Sequence, residues 1–203
     1  MARNMQPIVK RCRALGISPA VMGYTEKSKL NSNKRNPGAK KRTKKSEYAN
    51  QLNEKQKVKF IYGIQEKQVR AYYEKAEKAP GITGEVLLTT IERRLDNVIY
   101  RLGLAKTRRE ARELVSHGHF TVNGSVVNIP SFLVKPGMVI GVKESSRSIE
   151  RIKGFMEEDA FRGLPKWLTY DAKKGEGTVV AMPARDDIDY EVAEHMIVEL
   201  YSK

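Results

Sequence analysis

The chain of 203 residues contains a single cysteine, a single tryptophan and three histidines. Cys12 alone excludes an internal disulfide, and a four-ligand zinc site would have to recruit His117, His119 and His195 from distant segments. No metal is expected. No apolar run approaches the roughly 18 residues that would span a bilayer, and no hydrophobic signal region opens the chain. A soluble, cytoplasmic protein with no membrane partner is expected. Catalytic signatures are missing too: there is no G-x-S-x-G elbow, Walker loop or H-E-x-x-H. Neither an enzyme nor a cofactor is expected.

Acid is scarce at one end. Residues 1–45 hold 13 Lys/Arg and one acid, net +12, whereas residues 46–203 hold 25 against 23, net +2. Such a block reads as a nucleic-acid-binding arm, although localisation signals and membrane-surface segments share the composition. A solvated tail that merely aids solubility is the plainer alternative. The stretch "NSNKRNPGAKKRTKK" opposes a packed core, so residues 1–45 read as an extended or partly ordered basic arm, anchored at most by Ile8, Val9, Leu15, Ile17 and Val21.

Beyond the arm the chain becomes periodic. Residues 46–79 carry a helical pattern that begins at the cap residue Ser46, is interrupted at Gly63, and places Val69, Tyr72, Tyr73 and Ala76 on one apolar stripe. Lys55 and Lys59, one turn apart with Lys57 nearby, have the spacing to meet phosphates; the default for each is a solvated helix charge. From Glu85, "EVLLTTIERRLDNVIYRLG" reads as one helix with Leu88, Ile91, Leu95, Val98, Ile99 and Leu102 inward and Gly103 beyond its end. On a single helix Arg94 and Arg101 stack one above the other, as do Arg93 and Tyr100, about 10 Å apart at a rise of 1.5 Å per residue. That spacing suits successive phosphates.

A second helix opens at the Thr107/Glu110 capping box, with Ala111, Leu114 and Val115 inward. Arg108, Arg109 and Arg112 crowd its first turns, where cations oppose the helix dipole, a local conflict that points to function. Beyond it, "HFTVNGSVVNIPSFLVKPGMVIGV" alternates Phe120 and Val122 inward, turns at Asn123-Gly124, resumes with Val126, Val127 and Ile129, and turns again at Pro136-Gly137. Two helices and a small sheet therefore share one core. Residues 92–153 hold 12 Lys/Arg and 6 acids, net +6, while residues 154–203 hold 6 against 11, net −5. The acidic end should face away from a polyanion, toward a basic protein neighbour.

In "SHGHFTVNG" His117 and His119 lie one residue apart. No nearby carboxylate or thiol completes a metal shell, and a Ser-His pair alone specifies no catalysis. Two readings remain open. One has His117 at a helix C-terminus with His119 facing solvent; the other has both rings meeting a polyanion.

The stretch "ERRLDNVIYRLGLAKTRREARELVSHGHFTVNGSVVNIPSFLVKPGMVI" resembles the RNA-binding module of the bacterial small-subunit ribosomal protein four family. The flanks "EKQKVKFIYGIQEKQVRAYY", "GITGEVLL" and "IVELYSK" resemble the rest of that family, although the module alone also occurs in pseudouridine synthases, tyrosyl-tRNA synthetases and heat-shock RNA-binding proteins. The fold expected is α+β: a basic N-terminal arm (1–45), a mainly helical domain (first part 46–91), an inserted module of two helices on a small antiparallel sheet (92–153), and a C-terminal segment (154–203) that packs back on the helical domain.

The resemblance implies a primary binder of small-subunit ribosomal RNA at a multi-helix junction of its 5′ domain, nucleating assembly of the subunit body. It implies partners as well: ribosomal protein five, which shares a role in decoding accuracy, and other small-subunit proteins. Several relatives also bind and repress their own messenger RNA. Carried over residue by residue, the RNA surface comprises Arg93, Arg94, Asn97, Arg101, Thr107, Arg108, Arg109, Arg112, Ser116, His117 and His119. It is joined by Lys55, Lys57 and the arm cations Arg35, Lys40, Lys41, Arg42, Lys44 and Lys45. Some relatives hold zinc with N-terminal cysteines, whereas this chain has only Cys12. Two rival classes stay in view. An RNA-modifying enzyme uses the same module but appends a sizeable catalytic domain, for which the residues after 153 show no acid-base or nucleophile constellation. A generic basic DNA-binding protein would take duplex DNA as readily as structured RNA.

Overall fold

The computed structural model describes residues 7–24, 46–157, 163–171 and 174–202. The chain divides into two units, one formed by Met1–Gly84 with Asp189–Lys203, the other by Glu85–Ile188.

In the first unit, the start of the supposed arm is folded. Residues Ile8–Leu15 form helix α1, which buries Cys12 and Leu15 and ends at Gly16 with φ 72°. Ile8, Cys12 and Leu15 stand at i, i+4 and i+7, a helical spacing that the surrounding charge obscured. A short 3-10 turn comes next over Pro19–Met22. Helix α2 (Glu47–Ile61) begins where expected, with Ser46 Oγ accepting the Ala49 amide. The chain reverses at Gly63 (φ 62°) into α3 (Glu66–Glu77), whose Val69, Tyr72, Tyr73 and Ala76 are all buried. A helix from the far end of the chain, α8 (Glu194–Ser202), completes this unit by burying Ile197 and stacking Tyr201 on Tyr73 at 4.8 Å.

The second unit holds α4 (Thr83–Glu92, from Glu85), α5 (Leu95–Arg101), α6 (Arg108–Ser116) and α7 (Glu150–Glu157). Its antiparallel sheet is built from β1 (Phe120–Val122), β2 (Ser125–Val126), β3 (Val139–Val142), β4 (Leu168–Asp171) and β5 (Glu176–Val179) in the order β2-β1-β3-β5-β4. Phe120 faces Val142, and Val139 faces Thr178. The Asn123-Gly124 turn has both φ values positive, 49° and 81°, the primed geometry that an Asn-Gly hairpin favours. Leu95, Val98, Ile99, Ala111, Val115, Phe120, Ile140 and Trp167 lie in one core. At Gly177 an added Cβ would stand 2.5 Å from the Leu102 side chain, so any other residue there would push aside the leucine that follows α5.

Two expectations need correcting. Residues 154–203 do not all return to the helical unit: β5 pairs with both β3 and β4, and only Asp189 onward groups with α2 and α3. Four-residue strands whose partners lie far off in sequence leave little local signal. The helix expected from Glu85 to Leu102 is also broken. Arg94 is extended (φ −65°, ψ 137°) and bridges Leu133, while the amides of Leu95 and Asp96 donate to the carbonyls of Phe132 (2.9 Å) and Pro130 (3.2 Å). The loop before β3 thus supplies the acceptors that the preceding helical turn would otherwise provide.

Candidate nucleic-acid interface

The break reassigns the arginines. With Arg94 outside α5, it no longer stacks over Arg101 along one helix face, and both side chains are buried rather than presented to phosphates. Arg94 folds onto Asp96, with Nε donating to Oδ1 (3.1 Å) and Nη2 to Oδ2 (2.9 Å). From α6, Arg112 reaches the same carboxylate, donating through Nε (2.8 Å) and Nη2 (2.6 Å) to Oδ2. Arg101 donates to Glu92 Oε1 at 2.9 Å, and Asn97 donates to both the backbone and the side chain of Glu92. Asn97 Oδ1 in turn accepts Arg108 Nε at 2.8 Å, and the Arg108 guanidinium lies 4.3 Å from the centre of the Tyr100 ring. The dipole conflict expected at Arg108 is therefore offset by a hydrogen bond and a ring face.

These groups form a polar layer between α5 and α6 around two buried carboxylates, Glu92 and Asp96. A carboxylate out of water is costly unless paired, and each here is paired by arginine, whose planar fork suits it. Neither acid was singled out in the sequence. The available signal was their position: one turn apart, in a segment otherwise crowded with arginine, flanking the apolar stripe.

Other expected residues lie toward solvent. Arg109 and Ser116 are exposed on α6, with Ser116 Oγ donating to the Arg112 carbonyl at 2.8 Å. His117 is the exposed C-cap of that helix. Its ring stacks on His119 with centroids 6.1 Å apart, and His119 Nδ1 lies 3.0 Å from Ser146 Oγ. Burial lowers the His119 pKa below the usual histidine value, and His117 and Lys143 lower it further, so this ring favours the neutral form. Arg93 is half-buried, its Nε donating to the Val134 carbonyl at 2.8 Å. Thr107 caps α6 by accepting the Glu110 amide at 3.2 Å. The Glu110 carboxylate takes the Lys106 amide at 2.9 Å and pairs with Arg151, so the return half of the capping box falls one residue early.

Lys55 and Lys57 belong to the first unit, where Lys55 pairs with Glu66 at 2.7 Å and Lys57 with Glu54 at 2.6 Å. Arg35, Lys40, Lys41, Arg42, Lys44 and Lys45 lie outside the described residues. Among the described residues no group of three His, Cys, Asp or Glu could hold a metal ion, and no helix is long and apolar enough to cross a membrane.

Two family models match the chain: one described as "Ribosomal protein S4/S9 N-terminal domain" over residues 3–92, the other as "S4 domain" over residues 93–140. Similar proteins include "Small ribosomal subunit protein uS4" of Agathobacter rectalis, 52% identical over 203 residues and the full length of both chains. Those of the same name from Pelotomaculum thermopropionicum (54% over 208 residues) and Halothermothrix orenii (52% over 208 residues) also align over the whole of both chains.

Proposed function

The chain belongs to the family of small ribosomal subunit protein uS4, and we propose that it is a primary binder of small-subunit ribosomal RNA at a 5′-domain multi-helix junction. It is a structural component of the small ribosomal subunit and not an enzyme. Its binding nucleates assembly of the subunit body in the cytoplasm, and with ribosomal protein five it contributes to translational accuracy.

The observation that carries this reading is the α6 surface. Arg109, Ser116 and His117 are exposed along one short helix, and Arg112, beside them, is held from beneath by a buried carboxylate. Such a surface needs no catalytic group: its cations displace counterions from phosphates, while a fixed arrangement of donors selects among RNA shapes. The cations of residues 1–45 add to the positive charge available to RNA, whereas residues 154–203 are net acidic.

The test is a titration of the purified protein against the 5′-domain fragment of small-subunit ribosomal RNA, with scrambled RNA and duplex DNA of equal length as competitors, across a range of salt. Affinity should fall steeply with salt for all three, and the junction RNA should win by about a thousandfold or more, as specific nucleic-acid binders do over non-specific sites. Equal affinity for all three would leave only a generic polyanion binder.

A further inference from the structure

We propose that Asp96, a buried acid, is the positioning residue of the RNA surface, and that it sets the preference for the junction RNA while weakening binding to RNA in general. The inference rests on the RNA-binding reading above. Asp96 is 3% exposed, and its carboxylate collects five donors from three places in the chain. Oδ1 accepts Arg94 Nε (3.1 Å) and the Asn97 amide (2.9 Å). Oδ2 accepts Arg94 Nη2 (2.9 Å) and both Nε (2.8 Å) and Nη2 (2.6 Å) of Arg112. Oδ1 is thus tied to the helix break, and Oδ2 joins that break to the second turn of α6.

Arg112 is where this buried cluster meets the surface, its side chain 18% exposed against 2% for Arg94. An arginine free to rotate loses rotamer entropy each time it engages a ligand. Two bonds to one oxygen hold the Arg112 guanidinium in place before any RNA arrives, so that loss is taken on folding instead. The charge of Asp96 acts in the opposite sense on loosely bound phosphates, because it cancels part of the field that Arg112 would project. A fixed and partly neutralised cation favours the one phosphate geometry that meets it. A mobile, unneutralised cation favours any phosphate. Asp96 therefore exchanges general affinity for selection by shape.

The test compares Asp96→Asn with the unaltered protein against the 5′-domain fragment and scrambled RNA at several salt concentrations, after circular dichroism and a thermal melt have checked the fold. The amide nitrogen of Asn would face arginine donors, so at least one set of bonds must open. The preference should fall about tenfold, within the coupling found between residues of one hydrogen-bond network. The loss should fall on the junction RNA, with scrambled RNA bound as tightly as before or tighter. A uniform loss on both RNAs, or an unchanged preference, would overturn the proposal.

Arg112→Lys provides a second arm that leaves Asp96 and Arg94 themselves unaltered. Lysine keeps the charge but has one nitrogen where arginine places two, so the same signature should appear; an unchanged preference here also rejects the idea. The double variant should be no worse than the weaker single variant. If the unaltered protein shows no preference between the RNAs, the junction reading itself fails and this proposal with it. Loss of preference only in the variants separates the two.

Discussion

The two units handle cations in contrasting ways. In the first, lysines at the helix edges settle on carboxylates that remain partly open to water: Lys55 and Lys59 share Glu66, and Lys57 takes Glu54. In the second, arginines are drawn inside, with Arg94 and Arg112 on Asp96 and Arg101 on Glu92. A lysine ammonium is a compact, strongly hydrated charge and stays near the rim, whereas a guanidinium is weakly hydrated, planar and able to satisfy two acceptors at once. The contrast shows that a basic segment is not by itself a basic surface. Of the 12 Lys/Arg in residues 92–153, several hold α5 to α6, and the charge left toward solvent falls to a smaller set that includes Arg109.

The most disruptive way to test this contrast is to remove a buried carboxylate. Glu92→Ala would leave Arg101 and Asn97 without their shared acceptor, and breaking a buried pair in this way costs about 3–5 kcal/mol. Denaturant unfolding should show a loss of that order; a loss under about 1 kcal/mol would mean that the layer between α5 and α6 is dispensable.

A smaller effect is expected at the rim. Burial alone would raise the Glu66 pKa, but hydrogen bonds from Lys55, Lys59 and Tyr201 bring it from 4.5 down to about 2. A carboxyl held lower in the folded state than in the unfolded one stabilises the fold above pH 4.5, and that contribution is lost as pH falls toward 2. Glu66→Gln should therefore flatten the dependence of stability on pH within that window and leave the rest of the profile alone. Because Glu66 is 44% exposed, solvent screening keeps its contribution near or below about 1 kcal/mol. An unaltered acid profile in the variant would show that Glu66 is not a hub.

The smallest change in stability belongs to Arg109→Ala, which removes an exposed side chain and should stay within about 0.5 kcal/mol of the parent. Its effect should appear in binding instead. The slope of log affinity against log salt should shrink by about 0.7–0.9 if one phosphate contact is lost, with junction and scrambled RNA weakened alike. A loss of preference from this substitution would blur the line between Arg109 as a general cation and Arg112 as a positioned one.

Features set by neighbouring residues were legible in the sequence. The Ser46 and Thr107 caps, the Asn123-Gly124 hairpin, the turn at Gly63 and the buried stripe of Val69, Tyr72, Tyr73 and Ala76 all depend on a few adjacent positions. Features that depend on distant partners were not. The break at Arg94 exists because Pro130 and Phe132, more than thirty residues later, offer their carbonyls to the start of α5. Periodicity there favours an unbroken helix, since Leu88, Ile91, Leu95 and Val98 keep their spacing across the break. The site suffered from the same blindness. Residue type marked the arginines as phosphate ligands, but whether an arginine meets phosphate or carboxylate depends on where Glu92 and Asp96 stand after folding.

The first unit is assembled from two stretches of chain, and this has a consequence in time. Synthesis runs from α1 to α8, so α2 and α3 exist before Tyr201 is available to cover Tyr73 and before Ala193 can donate to Glu54. Every residue of Glu85–Ile188 is made in the interval, about ten seconds at ordinary rates of translation. The second unit is contiguous and can close its own core as it emerges. The chain's earliest helices are therefore the last to be finished, and until then the apolar seat of α8 is open to whatever holds nascent chains.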